Sequence, residues 1–245
     1  MQLDELQQWH KTAPGNWLLQ FEQEQVKKWL PLVRGATVVQ FGGMPDTFNI
    51  AKHHNGHYYF VSPYTAGAGQ PGVDLLAQYE ELPFAPNSVN LVLLVHVLEY
   101  VDHPTVVLKE IFDMLAPNGK LLLFCFNPWS LWGAKKWLSK EDVLPWKGKF
   151  ISPARLQGWL ASLGYSNLKD KTLCFRSANN KRRLTRWDFF LEALGQITVP
   201  MMGAVNVFLV EKRVYAGIAE RRYQWNRARV GNNIIVEPTA RTKSG

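Results

Sequence analysis

The chain is expected to fold as a doubly wound α/β sheet of mainly parallel strands, and three observations predict it. Short apolar or β-branched runs alternate with helical patterns, and short loops join them. Two of the runs, VNLVLLVH (89–96) and KLLLFCF (120–126), are apolar without alternation, as strands buried on both faces are. Between them Val107, Leu108, Ile111, Phe112 and Leu115 form one amphipathic stripe. With 245 residues, 47% apolar and 20% charged, the chain can build one sizeable core.

Each element has a local reason. NWLLQFEQEQVKKWL (16–30) has a helical spacing, with Asn16 as a plausible cap and Pro31 as the exit. TVVQF (37–41) reads as a first strand ending in Gly42-Gly43, followed by a short helix from Pro45 to His54. YYFVS (58–62) and a short strand centred on VDLLA (73–77) come next. Pro104 suits the first turn of the helix that follows 89–96, because its missing N–H is not needed there. Ala116-Pro117-Asn118-Gly119 ends that helix, and strand 120–126 follows. Beyond residue 127 the pattern loosens into a tryptophan- and lysine-rich segment. A helix near 153–163, a strand near 168–175, a helix near 185–194 and a strand near 204–214 complete the order.

Charge divides the chain. Residues 1–169 hold 14 Lys+Arg and 14 Asp+Glu, so the net +8 lies wholly in residues 170–245. The last thirty residues show no sustained period, so 219–245 reads as a basic, flexible tail beyond a domain of residues 1–218. Cys125 and Cys174 sit in apolar runs and read as buried free thiols, which suits a reducing cytoplasm. The polar N-terminus is unlike a secretory signal, and no apolar stretch is long enough to span a bilayer. His53, His54 and His57 have no carboxylate or cysteine beside them and read as surface residues, so no metal is expected.

The stretch LPFAPNSVNLVLLVHVLEYVDHPTVVLKEIFDMLAPNGKLLLFCF (82–126) resembles the type 11, small-molecule branch of class I S-adenosylmethionine-dependent methyltransferases. The order of an LPF-x-x-x-S turn, a strand, an acidic LE turn, a proline-started helix and a P-x-G strand carries the resemblance, with Asn90 where the family has Asp. It implies a Rossmann-like seven-stranded sheet with an antiparallel last strand, a cofactor half at 35–126 and a substrate-side half at 127–218. It also implies S-adenosylmethionine as cofactor, bound at the carboxyl ends of the strands.

The cofactor loop departs from the family's acidic-x-G-x-G-x-G. It reads Gln40-Phe41-Gly42-Gly43-Met44-Pro45-Asp46, so only the first glycine matches and the leading acid is Gln40. Ser62 stands near the place of the acid that holds the ribose, and Gln78 replaces the Asp that meets the adenine amino group. Gln can still accept through its carbonyl oxygen, and Tyr79 can cover the ring. The resemblance therefore implies a neutral cofactor site at Gln40, Phe41, Gly42, Gly43, Ser62, Gln78, Tyr79 and His96.

His96 ends the strand that points at the sulfonium in the family, and it is the candidate general base. Glu99, Tyr100, Asn127, Trp129 and Trp132 are expected to line the acceptor pocket. Rings and lysines of segment 128–149 suit a small or lipophilic acceptor, enclosed between that segment and His96–Tyr100, or rest on a membrane surface. Two other readings stand beside this one. The fold has become a binding module without catalysis, or the chain methylates RNA or protein through its basic C-terminal region, where Lys181, Arg182, Arg183 and Arg186 and the arginines at 221–229 can contact phosphates. The oligomeric state is not legible.

Overall fold

The computed structural model describes residues 3–30, 36–45, 47–48, 50, 55–63, 71–138, 145–174 and 202–213, all within one unit, Met1–Val214. Strands β1 (Val38–Gly42), β2 (Tyr58–Ser62), β3 (Leu75–Leu76), β4 (Val89–Val95), β5 (Leu115–Phe126), β6 (Tyr165–Leu173) and β7 (Val205–Lys212) form one sheet in the order β3-β2-β1-β4-β5-β7-β6. β1 pairs in parallel with β2 and β4, and β4 with β5. β7 lies between β5 and β6, antiparallel to both, as expected of the last strand. The strand order reverses between β1 and β4, so the ligand crevice of such a sheet opens beyond Gly42 and Val95.

Side chains alternate across the sheet. Val39, Phe41, Val92 and Leu94 pack with Leu108 and Ile111 of α3 (Pro104–Met114) and with Leu156 and Leu160 of α5 (Pro153–Ser162). Val38, Leu91, Leu93 and Val95 pack on the other face with Leu18 and Val26 of α2 (Ala13–Trp29) and with Trp132 of α4 (Leu131–Leu138). Asn90 points off this pattern. Its Oδ1 accepts from Thr37 N at 3.0 Å, so the residue in the place of the family's Asp ties β4 to the start of β1. Lys212 is buried and donates to the carbonyls of Phe112 and Leu115 at 2.7 and 2.8 Å, capping the carboxyl end of α3.

Several expectations shift. α1 (Leu3–His10) was not expected, although Leu3, Leu6 and Trp9 recur every third residue within its polar segment. α2 starts ahead of Asn16: the Thr12 hydroxyl accepts from Gly15 N at 3.3 Å, and Pro14 occupies the first turn. β5 begins at Leu115 instead of 120, through an irregularity between Val89 and Leu91 that leaves Asn118 at φ 60°. β6 begins three residues early. The helix near 185–194 and the tail 219–245 lie outside the described residues, as does most of the helix expected over 45–54. Cys125 and Cys174 are buried free thiols, as expected.

Candidate functional site

β1 ends at a left-handed glycine, Gly42 at φ +70°, and a second, Gly43 at φ +67°, follows it. A Cβ on Gly42 would lie 2.1 Å from the Val95 carbonyl oxygen and 2.6 Å from Val97 Cγ2. The glycine is required because β1 and β4 meet closely there, so its first constraint is the protein itself rather than the cofactor. Gln40, fully buried, donates through Nε2 to the carbonyls of Gly42 (3.0 Å) and Met44 (3.3 Å), while its Oε1 accepts from the Tyr58 hydroxyl at 3.0 Å. Two carbonyls facing it demand a donor, which a carboxylate lacks. Gln40 thus shapes the loop from behind.

Tyr79 lies edge-on to Phe41, with ring centroids 5.7 Å apart, and its hydroxyl is hydrogen-bonded to the backbone of Gly42. Burial pushes the phenol upward from its usual pKa, and that backbone bond only partly opposes the shift. Beyond the strand ends lies a cavity of about 200 Å³ bordered by Gln78, Tyr79, Glu80, His96, Tyr100 and Asp102. Sequence reasoning missed the two acids in this wall, Glu80 and Asp102, because neither stands at a family position. Ser62 is buried and does not border the cavity, whereas Pro63 does.

His96 leaves β4 at φ 50° and is buried, stacked on Phe126 with ring centroids 3.9 Å apart. Its Nε2 lies 2.7 Å from Glu22 Oε1, contributed by α2, and its Nδ1 lies 3.0 Å from Glu99 Oε1. Burial alone would lower the imidazole pKa, but the charge and hydrogen bond of Glu22, then those of Glu99, outweigh it and raise it to about 9. At neutral pH the ring is a cation donating from both nitrogens. With no free lone pair, it does not present the open base expected from the sequence.

His10, from α1, is the counterpart. Burial first, then repulsion from His96, lowers its pKa to about 4. The neutral ring donates from Nδ1 toward Met44 Sδ at 3.4 Å, since a thioether can only accept. Nothing local marks His10 or Glu22 in the sequence, because 74 residues separate Glu22 from His96.

The expected acceptor residues divide. Tyr100 borders the cavity, and its hydroxyl donates to the Pro145 carbonyl at 3.3 Å. Glu99 is buried and tied into the fold through one oxygen: Oε1 also accepts from Phe126 N at 2.7 Å, and its backbone carbonyl accepts from Lys149 N at 2.7 Å. The Cys125 thiol, beside that carboxylate, is pushed well above its usual pKa by burial and then by the charge. Asn127 is also structural, donating to the Gly203 carbonyl and accepting from Trp129 N. Trp132 is fully buried among Trp9, Phe126 and Trp146 and borders no cavity described.

Among the described residues, Tyr100 and Gly148 pack closely where the acceptor space was expected between His96–Tyr100 and segment 128–149. A Cβ on Gly148 would come within 2.8 Å of Tyr100 Cζ. The open space instead lies on the outer side of that segment, a groove of about 800 Å³ bordered by Trp129, Leu131, Trp137, Trp146, Phe150 and Met202.

Comparisons with known proteins agree with this architecture. Residues 34–123 match the family model described as a methyltransferase domain. The chain is 24% identical over 192 residues to the uncharacterized protein YafS of Escherichia coli K12, covering 78% of this chain and 74% of that one. Among solved structures it resembles an S-adenosylmethionine-dependent methyltransferase from Thermotoga maritima (TM-score 0.63, 22% identity, 86% of this chain and 95% of that one). A second, from Archaeoglobus fulgidus, has TM-score 0.59 and 14% identity and is covered over 94% of its length, against 79% of this chain. The sheet order and the glycine turn after β1 thus agree with the fold of these methyltransferases, and residues 34–123 are similar to a methyltransferase domain.

Proposed function

We propose that the protein transfers the methyl group of S-adenosylmethionine to a small or lipophilic acceptor. The observation that carries this reading is the cavity at the switch point, where Gln78, Tyr79 and His96 meet beyond the Gly42–Gly43 turn. These residues fit the cofactor without acids at the family's usual places: Gln78 offers a carbonyl acceptor, Tyr79 an aromatic face and Glu80 a carboxylate in the same wall. The cavity bounded by the described residues, about 200 Å³, is below the roughly 300–1,000 Å³ of a complete small-molecule site, so it houses only part of such a ligand. When bound, the cofactor supplies a methyl group on a sulfonium, open to in-line attack by a nucleophile.

The protein's own contribution is positioning. The His96 cation between Glu22 and Glu99 locks the end of β4, and Tyr100, held by the Pro145 carbonyl, forms the wall on the acceptor side. An acceptor that needs deprotonation would lose its proton to water or to a carboxylate of the cavity wall, Glu80 or Asp102, since His96 has no free nitrogen. Incubating the full chain with methyl-labelled S-adenosylmethionine and a fractionated cell extract tests the acceptor class. Label in the organic-soluble or small-molecule fraction supports the reading, and label in RNA or protein overturns it.

A second reading, a binding protein of the same fold without catalysis, is favoured by one observation. Tyr79 and Gln40 already occupy hydrogen-bonding groups of the glycine loop. Absence of transfer to every fraction, with cofactor binding retained or lost, would favour it.

A further inference from the structure

The face that α4 turns outward is apolar. Leu131, Trp137 and Leu138 are 48%, 86% and 76% exposed, and Trp129, just ahead of the helix, is 70% exposed. Ala134 lies on the same exposed stripe. A surface helix ordinarily presents its polar side to water, and this is a contiguous ridge rather than a scatter of single residues. The helix cannot roll to hide it, because Trp132 anchors the opposite face, fully buried against Phe126 and Trp146. Met202, 43% exposed, extends the apolar surface across the 800 Å³ groove.

Cations flank the ridge. Lys135 Nζ lies 4.7 Å from the Trp146 ring centroid and Lys136 Nζ 5.3 Å from that of Phe150, and Lys136 also donates to the Trp146 carbonyl. Among the described residues, Lys135 and Lys136 are carried by the ridge helix itself, whereas Lys147 pairs with Glu5 and Lys149 with Asp102. Residues 128–150 carry five lysines against Glu141 and Asp142. Exposed tryptophans and leucines with lysines at their sides have the composition of a segment that lies in a bilayer interface, where rings sit at headgroup depth and ammonium groups reach acidic lipids. A second copy of the same face would set lysines against lysines.

We infer that the ridge from Trp129 to Leu138 docks the protein peripherally on an anionic lipid surface. Nothing in the inference requires the methyl-transfer reading. The test is sedimentation of the full chain with vesicles of phosphatidylcholine alone and with phosphatidylglycerol added, for the wild type and for Trp137→Glu/Leu138→Glu. Both substituted side chains are largely solvent-exposed, so the melting temperature should hold and report that the fold is intact. Binding is expected only to the anionic vesicles, to weaken more than about tenfold in the double variant, and to quench tryptophan fluorescence when brominated lipids are used. Three results would overturn it: no binding to anionic vesicles, undiminished binding by the double variant (attraction by the basic C-terminal residues alone), or self-association of the wild type abolished by the same substitutions.

Discussion

His96 Nε2 stands 2.7 Å from Glu22 Oε1, both side chains buried, so a helix near the amino terminus closes over the end of the central strand. Glu99 holds the other ring nitrogen at 3.0 Å. Glu22→Gln keeps a hydrogen-bonding side chain but removes the charge. The His96 pKa should then fall from about 9, and stability at neutral pH should drop by about 1–3 kcal/mol. An NMR titration of His96 together with urea unfolding reads both. An unchanged imidazole pKa would place the stabilising charge elsewhere.

The two buried histidines shape stability against pH from opposite sides. His96 is raised from 6.5 to about 9, so its contribution is full below pH 6.5 and is lost as pH climbs through 9, by about 3 kcal/mol in all. His10 is lowered from 6.5 to about 4, so stability is lost as pH falls from 6.5 through 4, by a similar amount. Their joint optimum lies near pH 6.5. Unfolding free energies measured from pH 4 to 9 should show His10→Gln flattening the acid limb and His96→Gln the alkaline one.

Gly42→Ala should cost several kcal/mol, because its Cβ would meet the Val95 carbonyl at 2.1 Å in a left-handed backbone. Gly43→Ala carries the same backbone strain, yet its nearest contact is Val95 Cγ1 at 3.3 Å, so the loss should be nearer about 1–2 kcal/mol. Thermal melts of the two variants test the order. Equal losses would mean that packing against β4 is not what selects the first glycine.

Gln40→Glu restores the acid usual in the family, but here it would oppose the carbonyls of Gly42 and Met44. It should lower the melting temperature and fail to tighten cofactor binding. A variant that binds S-adenosylhomocysteine more tightly than the wild type would show that the loop rearranges around the cofactor.

The domain is read as ending near residue 218. Truncation at Ala219 should leave the melting temperature nearly unchanged, because the basic residues beyond it offer little apolar area to bury. A fall of more than about 5 °C would show that they pack.

What the sequence revealed and concealed divides along physical lines. Strands β4 and β5 and the α3 stripe were legible because burial on both faces, or on one stripe, writes itself into consecutive residues. Gln78, Tyr79, His96 and Tyr100 border the cavity because they follow strands, and the crevice lies beyond strand ends. Glu22 and His10 were missed because their partners are distant in sequence and their own helices are mostly polar. α4 was hidden for a related reason: its exposed face is apolar, so the usual pattern is inverted. Asn127 and Trp132 looked like pocket residues by type, yet tertiary packing consumes one in a loop and the other in the core.

The central claim is that this site, without the acidic anchors usual in the methyltransferases it resembles, binds the methyl donor at the switch point. Calorimetric titration of the full chain with S-adenosylhomocysteine tests it most directly. The account predicts one site with a Kd between about 10 μM and 1 mM, since lost charged acceptors cost about 1 kcal/mol or more each. Gln78→Ala and Glu80→Gln should each weaken that site further. No heat and no thermal shift at saturating ligand, or binding indifferent to both substitutions, would contradict it.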